Sequence, residues 1–226
     1  MHKFTKIFLT LLISGSLVGC FSNNQSENTI DTTDTQNSSD ASIPAKNILI
    51  TYFSVPETDD SDTSGSASRV ATSDGVVGNT QYIASIIQEE TGGNLFRIET
   101  VDEYPTTHDP LLDYAYEERS NEERPELKSE IDNIDQYDTI FIGYPNWNAD
   151  LPMPLYTFLE QYDLSNKTII PFTTHGGSGF SSTIETIADL QPNATIVSNG
   201  LSISRNDVAS ADDSVKELLS DLNLQQ

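Results

Sequence analysis

Five short stretches of the chain are almost continuously apolar, which is typical of strands buried on both faces of a parallel sheet. They are NILITYF, NLFRIET, DTIFIGYP, KTIIPFTT and ATIVSNGLSI. Between and after them, apolar residues recur at helical spacing, as in NTQYIASIIQEE and DDSVKELLSDLNL. This alternation predicts an α/β fold, a doubly wound five-stranded parallel sheet with helices on both faces.

The pattern is weaker from Asp102 to Asp135. This stretch is charged, helical in character and interrupted at Pro125. Because proline ends a helix, we predict two short helices there.

The first strand and the first helix are separated by an unusually long connection. Its 23 residues, 55–77, are almost all small, polar or acidic, whereas such connections usually take about two to six residues. The segment DSDTSG has the spacing of the first half of a calcium loop, but Ala71 stands where a closing glutamate is required. We therefore interpret the insert as a solvated surface excursion and predict no metal site.

The N-terminus has the pattern of a secretory signal. Lys3 and Lys6 precede an apolar run, and small residues lead to Cys20, the single cysteine of the chain. The segment LVGC resembles the bacterial lipobox, in which the cysteine is acylated and becomes the mature N-terminus. We predict a lipoprotein signal peptide over residues 1–20. The alternative is an ordinary signal peptide with an unrelated cysteine.

Residues 21–46 are rich in Asn, Ser, Thr and Asp and contain almost no apolar residues. Such a segment cannot bury enough surface to order itself, so we predict a disordered tether. The folded domain then spans residues 47–226, with the insert at 55–77. We expect it outside the cytoplasm, attached to the membrane through lipidated Cys20.

Charge and composition exclude several functions. The chain carries 11 Lys and Arg against 35 Asp and Glu, a formal charge of −24, which repels nucleic acid. One cysteine allows no internal disulfide and no cysteine-based zinc site. The sequence contains neither H-E-x-x-H nor G-x-S-x-G. The charge either serves solubility or favours a basic partner.

Ligands of open parallel sheets bind beyond the carboxyl ends of the strands, so three loops are of interest. The first supplies Ser54 and, after the insert, Gly78, Asn79 and Thr80 at the start of a helix. Free amides, hydroxyls and the helix dipole at such a position form an anion site. The alternative is a plain helix N-cap.

The second loop, GYPNWNADLPMP, carries the single tryptophan, Trp147, between Asn146 and Asn148. A flat apolar face beside amide groups suits a planar heterocycle, unless the indole folds back onto the following helix. The third loop, TTHGGSGF, contains Gly176, Gly177 and Gly179. These glycines permit close backbone approach to a ligand, although turn chemistry alone also explains them.

Together these loops resemble the flavodoxin-like family, specifically its variety with GYPxW and FTTHGGSGF loops, over residues 47–224. The resemblance implies a strand order of 2-1-3-4-5 and an FMN site at the switch point. It implies phosphate binding by the first loop, isoalloxazine binding by the second, and approach to the pyrimidine edge or ribityl chain by the third. The implied residues are Ser54, Gly78, Asn79 and Thr80; Pro145, Asn146, Trp147 and Asn148; and Thr174, His175, Gly176 and Gly177.

The chain departs from the typical flavodoxin at one position beside the ring. Asn148 and Ala149 follow Trp147 where flavodoxins usually have a glycine whose peptide can flip. Asparagine tolerates left-handed backbone less well than glycine, so we expect weak stabilisation of a one-electron-reduced flavin. His175 either contacts the flavin or hydrogen-bonds its own loop.

An FMN site implies redox chemistry by the cofactor, which the protein positions and tunes. We predict extracytoplasmic electron transfer or flavin-dependent reduction of a small acceptor such as a quinone, with NAD(P)H or a redox protein as donor. The insert is a hypothetical lid or partner contact. The alternative function is a cofactor-free surface module for binding or scaffolding.

Overall fold

The computed structural model describes residues 47–56, 68–73 and 75–225. The predicted signal peptide, lipidated Cys20, the tether and positions 57–67 and 74 of the insert lie outside these residues. Among the described helices, none is both long enough and apolar enough to cross a bilayer.

Eight strands and five helices alternate along the described residues. The strands are β1 (Ile48–Phe53), β2 (Arg69–Thr72), β3 (Gly75–Gly78), β4 (Asn94–Ile98), β5 (Thr139–Pro145), β6 (Thr168–His175), β7 (Thr195–Ile196) and β8 (Leu201–Ser204). The helices are α1 (Asn79–Thr91), α2 (His108–Ser120), α3 (Met153–Gln161), α4 (Thr183–Leu190) and α5 (Asp212–Asp221).

The main sheet is parallel and runs β4-β1-β5-β6, with β7 and β8 both paired to β6. The short β7 pairs with the beginning of β6, and β8 pairs with its last four residues. The predicted doubly wound order is confirmed, with the fifth strand broken into two pieces. The chain leaves β1 for β4 on one side and crosses to β5 on the other, so the switch point lies between β1 and β5.

Alternate residues of the strands face opposite sides of the sheet. On one side, Ile48 and Ile50 of β1 belong to a core completed by α1 and α5. On the other side, Leu49 and Phe53 belong to a second core with α2, α3 and α4. Both faces of β1 are therefore buried, which explains its continuous apolar sequence.

The insert contains regular structure that its composition did not predict. Strands β2 and β3 form an antiparallel hairpin with Val70 opposite Val77. The insert is still a surface excursion in this part, with Val76 59% exposed, but it is folded into a hairpin. The missed signals were the valines flanking an Asp-Gly dipeptide at positions 74–75, which is typical of a hairpin turn.

The region after β4 also differs from the prediction. It contains one helix, α2, and the second predicted helix is absent from the described residues. The segment after Pro125 instead runs antiparallel to the end of β4, where Val101 donates to the Glu126 carbonyl (2.9 Å) and Lys128 to the Glu99 carbonyl (2.8 Å). These backbone bonds satisfy the segment without a helix, and only a 3-10 turn follows, at Ile134–Gln136.

Candidate functional site

A cleft of about 310 Å³ opens at the carboxyl ends of the parallel strands. Its volume is at the lower end of the range for small-molecule sites. Polar and apolar side chains both line it, from α1, α2, the hairpin and the loops after β5, β6 and β8. Within the described ranges, no group of three or more His, Cys, Asp or Glu residues is placed to hold a metal ion.

Most of the predicted site residues line this cleft. They are Asn79, Pro145, Asn146, Trp147, Asn148, Thr174, His175 and Gly176. Gly78, Thr80 and Gly177 each adjoin a lining residue in the chain, and Thr80 also shares a hydrogen bond with Thr174. Ser54 does not line this cleft; it lines a second pocket with Phe53 and Tyr104 and touches Gly78. The structure therefore brings the three predicted loops together.

The β1–α1 junction, defined here as Ser54, Gly78, Asn79 and Thr80, is closed by direct packing. A Cβ added at Gly78 would lie 2.0 Å from the Ser54 hydroxyl oxygen, so a larger residue fits only if the Ser54 side chain moves. Ser54 is 2% exposed, and its hydroxyl oxygen has no hydrogen-bond partner among the described residues. The insert thus leaves and returns at two points that touch each other.

Two buried hydroxyls connect this junction to the other loops. The Thr80 and Thr174 hydroxyl oxygens lie 2.9 Å apart and share a hydrogen bond. The amide of Asn146 donates to the Thr174 carbonyl at 2.9 Å. The start of α1 and the ends of β5 and β6 are therefore tied to one another at the floor of the cleft.

The hairpin adds a residue that the sequence did not single out. Ser68, just before β2, lines the cleft, and its carbonyl accepts the amide of Asn79 at 2.9 Å. A helix begins with several amides that have no intrahelical acceptor. The Ser68 carbonyl is the acceptor for one of these amides, so the insert contributes directly to the start of α1.

The tryptophan loop, residues 146–152, contains a tight reversal. Trp147 and Asp150 exchange backbone hydrogen bonds of 3.2 and 2.9 Å. The two residues between them have positive φ, 51° at Asn148 and 61° at Ala149, as in a type I′ turn. The Asp150 carboxylate lies 3.3 Å from the Arg119 guanidinium, which links the turn to α2.

Trp147 packs against aromatic side chains behind the cleft. Its ring centroid is 5.5 Å from Phe53 in an edge-on arrangement and 5.8 Å from Tyr104. The indole remains half-buried and lines the cleft. Its contacts thus run to the end of β1 and to the segment before α2.

His175 ends β6 and makes the hydrogen bond within its own loop that was one of its two predicted alternatives. Its Nδ1 accepts the amide of Gly177 at 2.9 Å, and the ring also lines the cleft. Gly177 has φ of 130°, which favours glycine. Burial lowers the pKa of His175, and Asp207 opposes this shift. The neutral ring, with Nδ1 accepting, carries its proton on Nε2.

Sequence reasoning missed further residues of the lining. Arg205 follows β8, and its amide donates to the His175 carbonyl at 2.8 Å. The strand-end rule that selected the other loops applies equally to this one. From α2 come Leu111, Leu112 and Ala115, for which no local pattern gave a signal because the position of α2 depends on tertiary packing.

The chain is similar to flavodoxins in sequence and in structure. A family model described as flavodoxin matches residues 69–217, whereas no curated protein matches the chain. A candidate flavoprotein from Bacteroides uniformis is 24% identical, with a TM-score of 0.55 over 77% of this chain and 98% of its own. A flavoprotein from Lactobacillus acidophilus, solved in complex with FMN, is 20% identical, with a TM-score of 0.52 over 76% of this chain and 99% of its own. At these identities the likeness shows a shared fold.

Proposed function

This chain belongs to the flavodoxin family, and from that premise we propose that its cleft binds FMN and that the protein works in extracytoplasmic electron transfer or flavin-dependent reduction. One observation carries the proposal. Thr80 at the start of α1, Thr174 near the end of β6 and Asn146 just after β5 are joined by hydrogen bonds into one site. An isolated helix cap or turn has no need of that convergence.

The β1–α1 junction fits a phosphate group. The buried Ser54 hydroxyl lacks a partner among the described residues, and the helix start supplies amides and a favourable dipole for an anion. Arg205 places a cation in the cleft lining, although the whole chain has only 11 Lys and Arg. A dianionic phosphate suits these donors.

The tryptophan loop fits a planar ring system. Trp147 offers an aromatic face, and Pro145 and Asn148 line the cleft beside it. The Asn146 side-chain oxygen is buried without a partner among the described residues, while its amide nitrogen donates to the Gly179 carbonyl at 2.7 Å. That oxygen is an acceptor suited to the imide N–H of an isoalloxazine.

FMN, when bound, supplies the one- and two-electron chemistry. The chain's own residues fix its position and limit water access. Leu111 and Ala115 of α2 form part of an apolar wall. His175 presents Nε2–H as a donor, since Nδ1 is held by Gly177, and the lowered pKa keeps the ring neutral at neutral pH.

We extend the proposal to location and partners on the basis of the sequence. The lipobox-like LVGC supports an anchor at Cys20 and an extracytoplasmic domain. A membrane-attached flavoprotein suits a quinone or another membrane-associated acceptor, with NAD(P)H or a redox protein as donor. Replacing Cys20 by Ser should release the protein from the membrane fraction, and retention there would contradict the anchor.

Flavin titration of the Trp147→Ala variant tests the cofactor site. Loss of stacking should cost about 1–3 kcal/mol, roughly 5- to 150-fold in Kd. Quenching of FMN fluorescence measures the Kd, and Trp147→Phe, which keeps an aromatic face, is the matched control. If the unaltered protein does not quench FMN, the cofactor-free binding module is the better reading. Equal affinity of the alanine variant would contradict stacking by Trp147.

A further inference from the structure

An aromatic series leads from the cleft away through the protein. Trp147 lies 5.8 Å from Tyr104, and Tyr104 lies 5.0 Å from Tyr114 between ring centroids. Trp147 lines the cleft and Tyr114 is half-buried on α2. Contacts between aromatic rings thus connect the cleft with a residue nearer the surface.

A buried carboxylate accompanies the middle member of the series. The Tyr104 hydroxyl donates to the Glu118 carboxylate, and the two residues are only 8% and 3% exposed. A buried carboxyl group has a desolvation cost that an apolar residue at the same position of α2 would avoid. The buried Tyr104 hydroxyl requires an acceptor, but a neutral amide would supply one, so hydrogen bonding alone does not require an acid at position 118.

We propose that Trp147, Tyr104 and Glu118 form a relay that moves an oxidising equivalent out of the cleft. Trp147 loses one electron to a one-electron oxidant in the cleft, such as a light-excited flavin. Tyr104 then returns one electron to Trp147 and passes its phenolic proton to Glu118. The products are restored Trp147, a neutral Tyr104 radical and a protonated Glu118.

Tyr114 completes the sequence toward solvent. It gives one electron to the Tyr104 radical and loses its own proton to water, while Glu118 returns its proton to Tyr104. Each step moves one electron toward the cleft, and after both steps Tyr104 and Glu118 are as they began. The result spares Trp147 from oxidative damage beside a reactive cofactor.

Direct proton transfer requires donor and acceptor within hydrogen-bond reach, which the Tyr104–Glu118 pair satisfies. Glu118 must be ionised to accept the proton. Burial raises its pKa, the Tyr104 hydrogen bond lowers it and Glu123 raises it again. Burial and Glu118 also raise the pKa of Tyr114, with Asp102 and Glu123 acting in the same direction. The rate of transfer should therefore fall as Glu118 becomes protonated at low pH.

Pulse radiolysis of the full chain without added flavin tests the relay. Azide radicals oxidise tryptophan selectively, and the single tryptophan makes every indole radical a Trp147 radical. Its decay should match the growth of a tyrosyl signal at a rate independent of protein concentration. Tyr104→Phe should slow this decay at least tenfold, and Glu118→Gln should slow it and remove its pH dependence.

Tyr116→Phe is the matched control, because Tyr116 lies on the same helix but is 62% exposed. In this variant the Trp147 radical should decay at the same rate as in the unaltered chain. An unchanged rate in Tyr104→Phe or Glu118→Gln would overturn the relay and leave a structural pair. If either variant misfolds, the unaltered chain is measured in H₂O and in D₂O. Transfer of an electron coupled to a proton slows in D₂O, so equal decay rates of the Trp147 radical in the two solvents would refute the relay. A flavin as oxidant rests on the proposed FMN site, but this experiment contains no flavin. A negative result would therefore refute the relay without bearing on FMN binding.

Discussion

The β1–α1 junction and the tryptophan loop reach the same cleft by opposite means. The junction is interrupted by an insert of more than 20 residues, yet Ser54 and Gly78 close it by direct contact. The tryptophan loop is short and continuous, yet its key side chain is placed by Phe53 and Tyr104, which are distant in sequence. Continuity of the chain is therefore no guide to what holds a site together.

The contrast explains why the long insert is tolerated. Loop-closure entropy grows only logarithmically with length, so an insertion costs little once its two ends are fixed by packing. The hairpin reinforces this closure, because the Ser68 carbonyl accepts the first amide of α1. Substitutions at the contacts within each region should show which contacts stabilise that region.

The largest effect is expected at the closure of the junction. Gly78→Ala places a methyl group 2.0 Å from the Ser54 hydroxyl oxygen, and overpacking of this kind should lower the free energy of unfolding by about 2 kcal/mol. Urea unfolding measures the loss. The double variant Ser54→Gly/Gly78→Ala removes the obstructing side chain and should recover most of it. A neutral single substitution would mean that this contact does not hold the junction.

A smaller effect is expected where the junction meets the third loop. Thr174→Val removes the partner of the Thr80 hydroxyl in a buried position, which should cost about 1 kcal/mol of unfolding free energy. Thermal or urea unfolding provides the measurement. Thr80→Val/Thr174→Val leaves neither hydroxyl unpaired and should be less destabilised than the single variant. Additive losses would show that the two hydroxyls do not interact.

The tryptophan loop should respond in the opposite direction. Ala149 has φ of 61°, a conformation that costs a residue with a Cβ about 1–2 kcal/mol. Ala149→Gly should therefore raise the unfolding free energy by about 0.5 kcal/mol after the greater chain entropy of glycine. Asn148→Gly is the control and should gain less, because asparagine tolerates this region. A loss of stability at position 149 would contradict strain in the turn.

The smallest effect is a pH dependence at His175. Its folded pKa is lowered by burial, so below the ordinary value of about 6.5 the unfolded chain binds more protons. Stability should thus be complete above about pH 6.5 and fall as the pH drops. Unfolding measured between pH 5 and 8 should show a shallower decline in His175→Gln, with His108→Gln as control. Identical slopes in all three proteins would exclude this contribution.

Much of the fold could be predicted from local sequence. Buried parallel strands have no solvent side, so NILITYF and DTIFIGYP are apolar throughout, and their carboxyl ends marked the loops that line the cleft. The helix predicted after Pro125 was wrong, because Val101 and Lys128 draw that segment into backbone pairing with the end of β4. Whether such a segment forms a helix or pairs as an extended strand depends on a partner that is distant in sequence.

The candidate site shows the same division. Sequence alone predicted which loops converge, since Ser54, Trp147 and His175 stand at or beside strand ends whatever the packing. Only the tertiary structure decided that Ser68 lines the cleft, that α2 forms a wall, and that Tyr104 and Glu118 pair behind Trp147. The reason is physical. Strand and helix periodicity depends on residues that are close in sequence, whereas contacts between distant segments form only when their buried faces pack together.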